Sequence, residues 1–94
     1  MILSFRDKRT KDFAEGGFVR AFQGFAEQAA KRLSILNAAT SLDDLGQLRG
    51  NRLEALSGGR QGQYSIRINM QWRICFRWER DSKGPEDAEI VDYH

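Results

Sequence analysis

The chain has one cysteine and one histidine among its 94 residues, and each scarcity removes a class of explanation. A lone Cys75 cannot form an internal disulfide. A single histidine leaves no credible metal cluster, so any chemistry is expected to run without a metal or other cofactor. No apolar run approaches the roughly 18 residues of a membrane span. The opening MILSFRDKRTK has no signal-peptide apolar stretch, and a cytosolic location with no membrane contact is expected. Three glycines near residue 60 do not make a phosphate loop, because the lysine and following helix of that motif are missing. Ninety-four residues suit one domain, 1–94, with a single core and little surplus stability.

Lysine is absent from the middle of the chain, and its absence there is informative. The total formal charge is only +2, but it is segregated. Residues 1–45 hold seven Lys/Arg against six Asp/Glu, residues 46–80 hold seven arginines against Glu54 and Glu79, and residues 81–94 hold Lys83 against five acids. Seven arginines without a lysine favour planar, bidentate recognition of phosphate or carboxylate over a diffuse basic coat. Nucleic acid or an acidic protein is the expected partner.

What is present is a clear alternation. Gly62 to Trp78, GQYSIRINMQWRICFRW, places apolar side chains at Tyr64, Ile66 and Ile68. It turns near Asn69-Met70 and resumes at Trp72, Ile74, Phe76 and Trp78, the period of two expected of paired antiparallel strands. One face then seats a core containing both tryptophans. The other carries Arg67, Arg73, Cys75 and Arg77 and is expected to stay open. Upstream, Ile2 to Phe5 reads as a first strand and Asp7 to Glu15 as a short helix stopped by Gly16-Gly17. Phe18 to about Asn37 reads as a long helix with its Phe18, Phe22, Phe25 stripe on the core. Ser41 with Asp44 three residues on resembles an N-cap. Asn51 to Leu56 and Ala88 to His94 complete the strands. The resulting layout is α+β, with two N-terminal helices on one face of a twisted antiparallel sheet.

The run GNRLEALSGGRQGQYSIRINMQWRICFRW, together with MILSFRDK, AATSLDDL and the terminal EIVDYH, resembles the HigB branch of the RelE/ParE toxin superfamily. The resemblance implies a RelE-like fold and the toxin of a bacterial toxin–antitoxin pair. Such toxins cleave mRNA in the ribosomal A site and are neutralised by a helix-turn-helix antitoxin, HigA. The toxin reaches operator DNA only through that complex, which represses its own operon.

Cleaving RNA without a metal requires activating the ribose 2′-OH, stabilising charge on the phosphoryl oxygens and protonating the departing 5′-oxygen. His94 is the side chain suited to proton transfer near neutrality. Asp92 and Tyr93 match the family's terminal Asp-Tyr-His, Tyr93 to position the base or the 2′-OH and Asp92 to orient a neighbour. Arg73 matches the arginine of the Trp-Arg-Ile segment and is expected to clamp the scissile phosphate with its fork. Arg60, Arg67 and Arg77 are secondary candidates for phosphate contact. Glu54 and Ser57 stand where some relatives carry histidine and lysine, and Glu54 offers a carboxylate base. Gln71 replaces an asparagine two residues before the arginine. Two readings from other classes are a RelE-fold inhibitor of DNA gyrase, as in the ParE relatives, and a nonenzymatic RNA-binding module. The terminal Tyr-His speaks against the first, and the lack of exposed aromatic pairs on the basic strands against the second.

Overall fold

The computed structural model describes residues 1–93; the expectations for His94 lie outside the described residues. Helix α1 spans Lys8–Ala14, α2 spans Ala26–Ala38 and α3 spans Leu42–Gly46. Four strands follow: β1 Glu54–Ala55, β2 Gln63–Arg67, β3 Trp72–Arg77 and β4 Glu86–Asp92. They form one antiparallel sheet in the order β1-β2-β3-β4. The α+β layout expected from the pattern is the one observed.

The central hairpin follows its alternation. Ile66 pairs with Ile74 and Tyr64 with Phe76, so one face presents Ile66, Ile68, Ile74, Phe76 and Trp78 to the helices, and these five are buried. The turn is closed by Asn69, whose Oδ1 accepts from the backbone N–H groups of Gln71 and Trp72, both at 2.8 Å. This is the local bond that makes asparagine a turn residue. Phe22, Phe25, Ala29, Leu33 and Leu36 cover the apolar face from the helical side. Phe22 is the centre of that layer, edge-on to Phe13 at 5.4 Å and to Trp72 at 5.9 Å.

Two expectations are corrected here. Phe18 is 76% exposed. The single long helix divides, with Arg20–Phe25 forming a 3₁₀ helix before α2 begins. With three residues per turn, a 3₁₀ helix aligns Phe22 with Phe25 on one side. Phe18 precedes it in chain still extended at Val19, so it never reaches the core. The expected strand Asn51 to Leu56 shrinks to two residues because Arg52 adopts the left-handed conformation, φ 45°.

The N-terminal segment does not become a full strand. It meets β4 through one parallel bridge, Phe5 with Ala88, flanked by backbone bonds from Leu3 to Pro85 and from Arg6 to Ala88. A β-bulge opposite Cys75 to Arg77 puts Asp87 at φ 54°, and the freed Asp87 N–H donates to Ser4 Oγ at 2.9 Å. Gly16, at φ 95°, ends α1 as anticipated. Ser41 caps α3 by accepting from the Asp44 N–H. Asp44 in turn accepts from the N–H and hydroxyl of Thr40, which hold its carboxyl below the usual range.

Helix α1 is joined to β4 by a buried bond in which the Ile90 N–H donates to Thr10 Oγ1 at 3.0 Å. Thr10→Val keeps the side-chain shape and orphans that N–H, so it should cost about 1–3 kcal/mol in denaturant unfolding. A change of only a few tenths would show that this bond does not anchor the edge of the sheet.

Candidate active site

The second face of the sheet is built by the same register. Glu54, Ser65, Cys75 and Glu89 form one cross-strand row, and Arg67, Arg73 and Val91 form the next. The expectation that this face stays open is corrected. Ser65 and Cys75 are fully buried and Gln63 nearly so, while Arg73 keeps only 8% of its surface.

A guanidinium so far from water must have its N–H groups satisfied within the protein. Arg73 Nε donates to Ser65 Oγ at 2.7 Å, and Nη2 donates to the Arg52 carbonyl at 2.5 Å and more weakly to the Ser65 carbonyl at 3.4 Å. The remaining nitrogen, Nη1, lies 3.8 Å from Glu54 Oε1. The Tyr93 ring, 39% exposed, stands over the guanidinium at 5.9 Å. The fork expected to grip a phosphate thus has Nε and Nη2 engaged by Ser65 and Arg52, and Nη1 is the nitrogen that faces the exposed Glu54. Of the residues singled out from the sequence, Arg73, Glu54 and Tyr93 are brought together.

Gln71 and Asp92 meet beside them. Gln71 Nε2 donates to Asp92 Oδ2 at 3.0 Å, and the Tyr93 N–H donates to the Gln71 carbonyl at 2.7 Å. The hairpin turn is thereby tied to the end of β4. Arg67 faces Arg73 across the strands with Nε donating to the Asn69 carbonyl at 3.1 Å, which adds a second cation at this end of the sheet.

Arg60 and Arg77 are placed elsewhere. Four residues along β3 from Arg73, roughly 13 Å, Arg77 lies 3.8 Å from Asp87. Arg60 donates from Nη1 to Gln63 and Glu89 at 3.2 and 3.3 Å, reaching over Cys75 from the β1–β2 loop. Acids of β4 therefore offset the cations at this end, while the cations around Arg73 face Glu54 and Asp92. Ser57 precedes the loop and is exposed. A concave pocket lined by Ile2, Phe5, Phe13 and Leu33 lies on the helical side and contains none of these groups.

Sequence reasoning missed Ser65 and Arg52. Alternation places Ser65 on the basic face, where a small hydroxyl among arginines is the available signal. The use of the Arg52 carbonyl has no signature in residue type.

Burial pushes the Cys75 thiol upward, an effect that Glu89 reinforces and the charges of Arg60, Arg73 and Arg6 oppose. Little thiolate then exists near neutrality, and the sulfur is enclosed. Iodoacetamide should label Cys75 only as fast as the protein opens. Labelling of the native chain at the rate of a free thiol would contradict the closed second face.

The sequence matches, over residues 3–94, the family described as the RelE-like toxin of type II toxin–antitoxin system HigB. It is 40% identical over 80 residues to Toxin HigB-1 of Vibrio cholerae, covering 83% of this chain and 84% of that one. It is 30% identical over 94 residues to Endoribonuclease HigB of Proteus vulgaris, covering 99% of this chain and 96% of the other. With the α+β sheet and its arginine-centred face, these matches show that the chain belongs to the HigB family of RelE-like toxins, the toxin half of a type II toxin–antitoxin pair.

Proposed function

We propose that the chain is an endoribonuclease that acts on mRNA in the ribosomal A site, in the cytoplasm, and is restrained by a helix-turn-helix antitoxin of the HigA type. The observation that carries this reading is the convergence of the Arg73 guanidinium, the Glu54 carboxylate and the Tyr93 ring at one end of the sheet.

The chemistry follows from what each group can do. The Glu54 carboxylate removes the proton of the ribose 2′-OH, whose oxygen attacks the adjacent phosphorus. Arg73 Nη1 donates to a non-bridging oxygen as negative charge gathers there, a donor fixed before the substrate arrives. His94 supplies a proton to the 5′-oxygen as the P–O bond breaks, giving a 2′,3′-cyclic phosphate and a 5′-hydroxyl. Tyr93 offers a ring on which a base can stack, and the Gln71–Asp92 pair keeps that ring beside the turn. Arg67 adds attraction for the RNA backbone, with Arg60 and Arg77 contributing more weakly from their ion pairs. The exposed Glu54 and Tyr93 at the border of the closed face suit a substrate presented by a ribosome, which itself supplies the walls of the site. Binding to operator DNA runs through the antitoxin complex.

Glu54→Gln keeps the shape of a half-exposed side chain, so its melting temperature should match the parent. Loss of the base should slow cleavage of A-site mRNA on programmed ribosomes by roughly 10²–10⁴-fold. Removing Tyr93 and His94 should abolish cleavage while leaving antitoxin binding nearly intact, because Ile90 and Ala88 hold β4 in the core. A Glu54→Gln chain as fast as the parent would remove the base assignment, and a truncated chain that still cuts would overturn the site.

A further inference from the structure

Arg73 is not held by packing alone. Ser65, fully buried, meets Nε with its hydroxyl at 2.7 Å, and Arg52 meets Nη2 with its carbonyl. Arg52 is one of two non-glycine residues with positive φ among those described, at 45°. Side chains other than glycine, asparagine and aspartate rarely take that conformation, and it persists only where surrounding structure enforces it. It leaves the Arg52 carbonyl directed at Nη2, while β1 resumes two residues later and presents Glu54 to Nη1. The same short segment therefore supplies a hydrogen-bond acceptor to Nη2 and an ion-pair partner at 3.8 Å to Nη1, and Ser65 fixes the third nitrogen.

We propose that Ser65 is a positioning residue for Arg73, acting with the left-handed Arg52 carbonyl to fix the guanidinium plane so that Nη1 alone is presented to the substrate. The inference rests on the nuclease reading above and deepens it. Two of the three nitrogens are tied to acceptors on different strands or loops, which removes rotation about the last side-chain torsions. The donor is preorganised at the point where phosphoryl charge develops. Alanine at 65 would leave Nε without its nearest acceptor in a site with little water. The guanidinium would then tilt toward the Ser65 and Arg52 carbonyls and carry Nη1 away from its aim. The positioning role needs a hydroxyl oxygen at this point, which threonine retains and alanine lacks.

The test combines kinetics with a direct view of the bond. Single-turnover cleavage of A-site mRNA on programmed ribosomes is measured for the parent, Ser65→Ala, Ser65→Thr, Arg73→Ala and the Ser65→Ala/Arg73→Ala double variant. Exchange of the Arg73 Nε–H is followed by NMR in the free protein. Ser65→Ala should lower the maximal rate by on the order of 10- to 100-fold, with half-saturation by ribosomes nearly unchanged. Ser65→Thr should recover most of the rate. In the Arg73→Ala background the serine change should have no further effect, the non-additivity expected of residues acting through one another. The Nε–H should exchange slowly in the parent and rapidly in Ser65→Ala. A parent that cuts RNA while Ser65→Ala cuts equally well, or loses the same factor with and without Arg73, would overturn the positioning role alone. A rapidly exchanging Nε–H in the parent would do the same. A parent inert on programmed ribosomes would sink the nuclease reading and the positioning role with it.

Discussion

A positive charge held almost out of water constrains its surroundings more than any apolar contact, because each of its donors must find an acceptor. Arg73 is that charge here. Its placement on the central strand β3 is met by a small hydroxyl on β2 and a left-handed turn before β1, with the exposed carboxylate at the start of β1 beside the remaining nitrogen. The shortness of β1 is part of the same arrangement, since a chain extended from Asn51 onward would carry the Arg52 carbonyl elsewhere. The rest of the second face then settles its charges locally, with Arg60, Arg6 and Arg77 beside Glu89 and Asp87. Such partly exposed pairs contribute little individually, but they close the surface over Cys75 and leave Arg67 and Arg73 as the concentrated cations.

The apolar side serves the site at a distance. Packing of Phe22, Phe25 and Trp72 fixes β3 against the helices. The outer edge of β4 is held by Ser4, Phe5 and Thr10, from the first ten residues of the chain. Between them, β3 and β4 keep register from Trp72 and Asp92 through Cys75 and Glu89 before the bulge. The bulge absorbs the irregularity at the far end, so the end near Tyr93 stays regular. The position of the Tyr93 ring over Arg73 is therefore a product of contacts made many residues away in sequence.

Much of this was legible in the sequence, for identifiable reasons. The period of two through Tyr64 to Trp78 specifies faces as well as strands, and the apolar face is buried as read while the arginines share the other. Ser41 and Gly16 act at the positions their local chemistry demands. The division near Phe25 was not legible because Phe22 and Phe25 satisfy a three-residue and a 3.6-residue period equally, and only Phe18 distinguishes them. The closing of the basic face was not legible either. It depends on Arg60 crossing from a glycine-rich loop to Glu89, a pairing that no local pattern encodes. Arg73, Glu54, Tyr93, Gln71 and Asp92 were all anticipated as site residues, yet the inward turn of the guanidinium follows from Ser65 and a backbone carbonyl that residue types do not advertise.

The most direct measurement is the position of the scissile phosphate relative to Arg73. A cryo-EM structure of the protein on a programmed ribosome, with the attacking 2′-hydroxyl of the mRNA replaced by a methoxy group, would capture the bound state before cleavage. A non-bridging oxygen is expected about 2.7–2.9 Å from Arg73 Nη1, with Nε still on Ser65 and Glu54 beside the blocked 2′-oxygen. A phosphate seated instead on Arg60 or Arg77, with Arg73 out of reach, would contradict the role of the buried guanidinium.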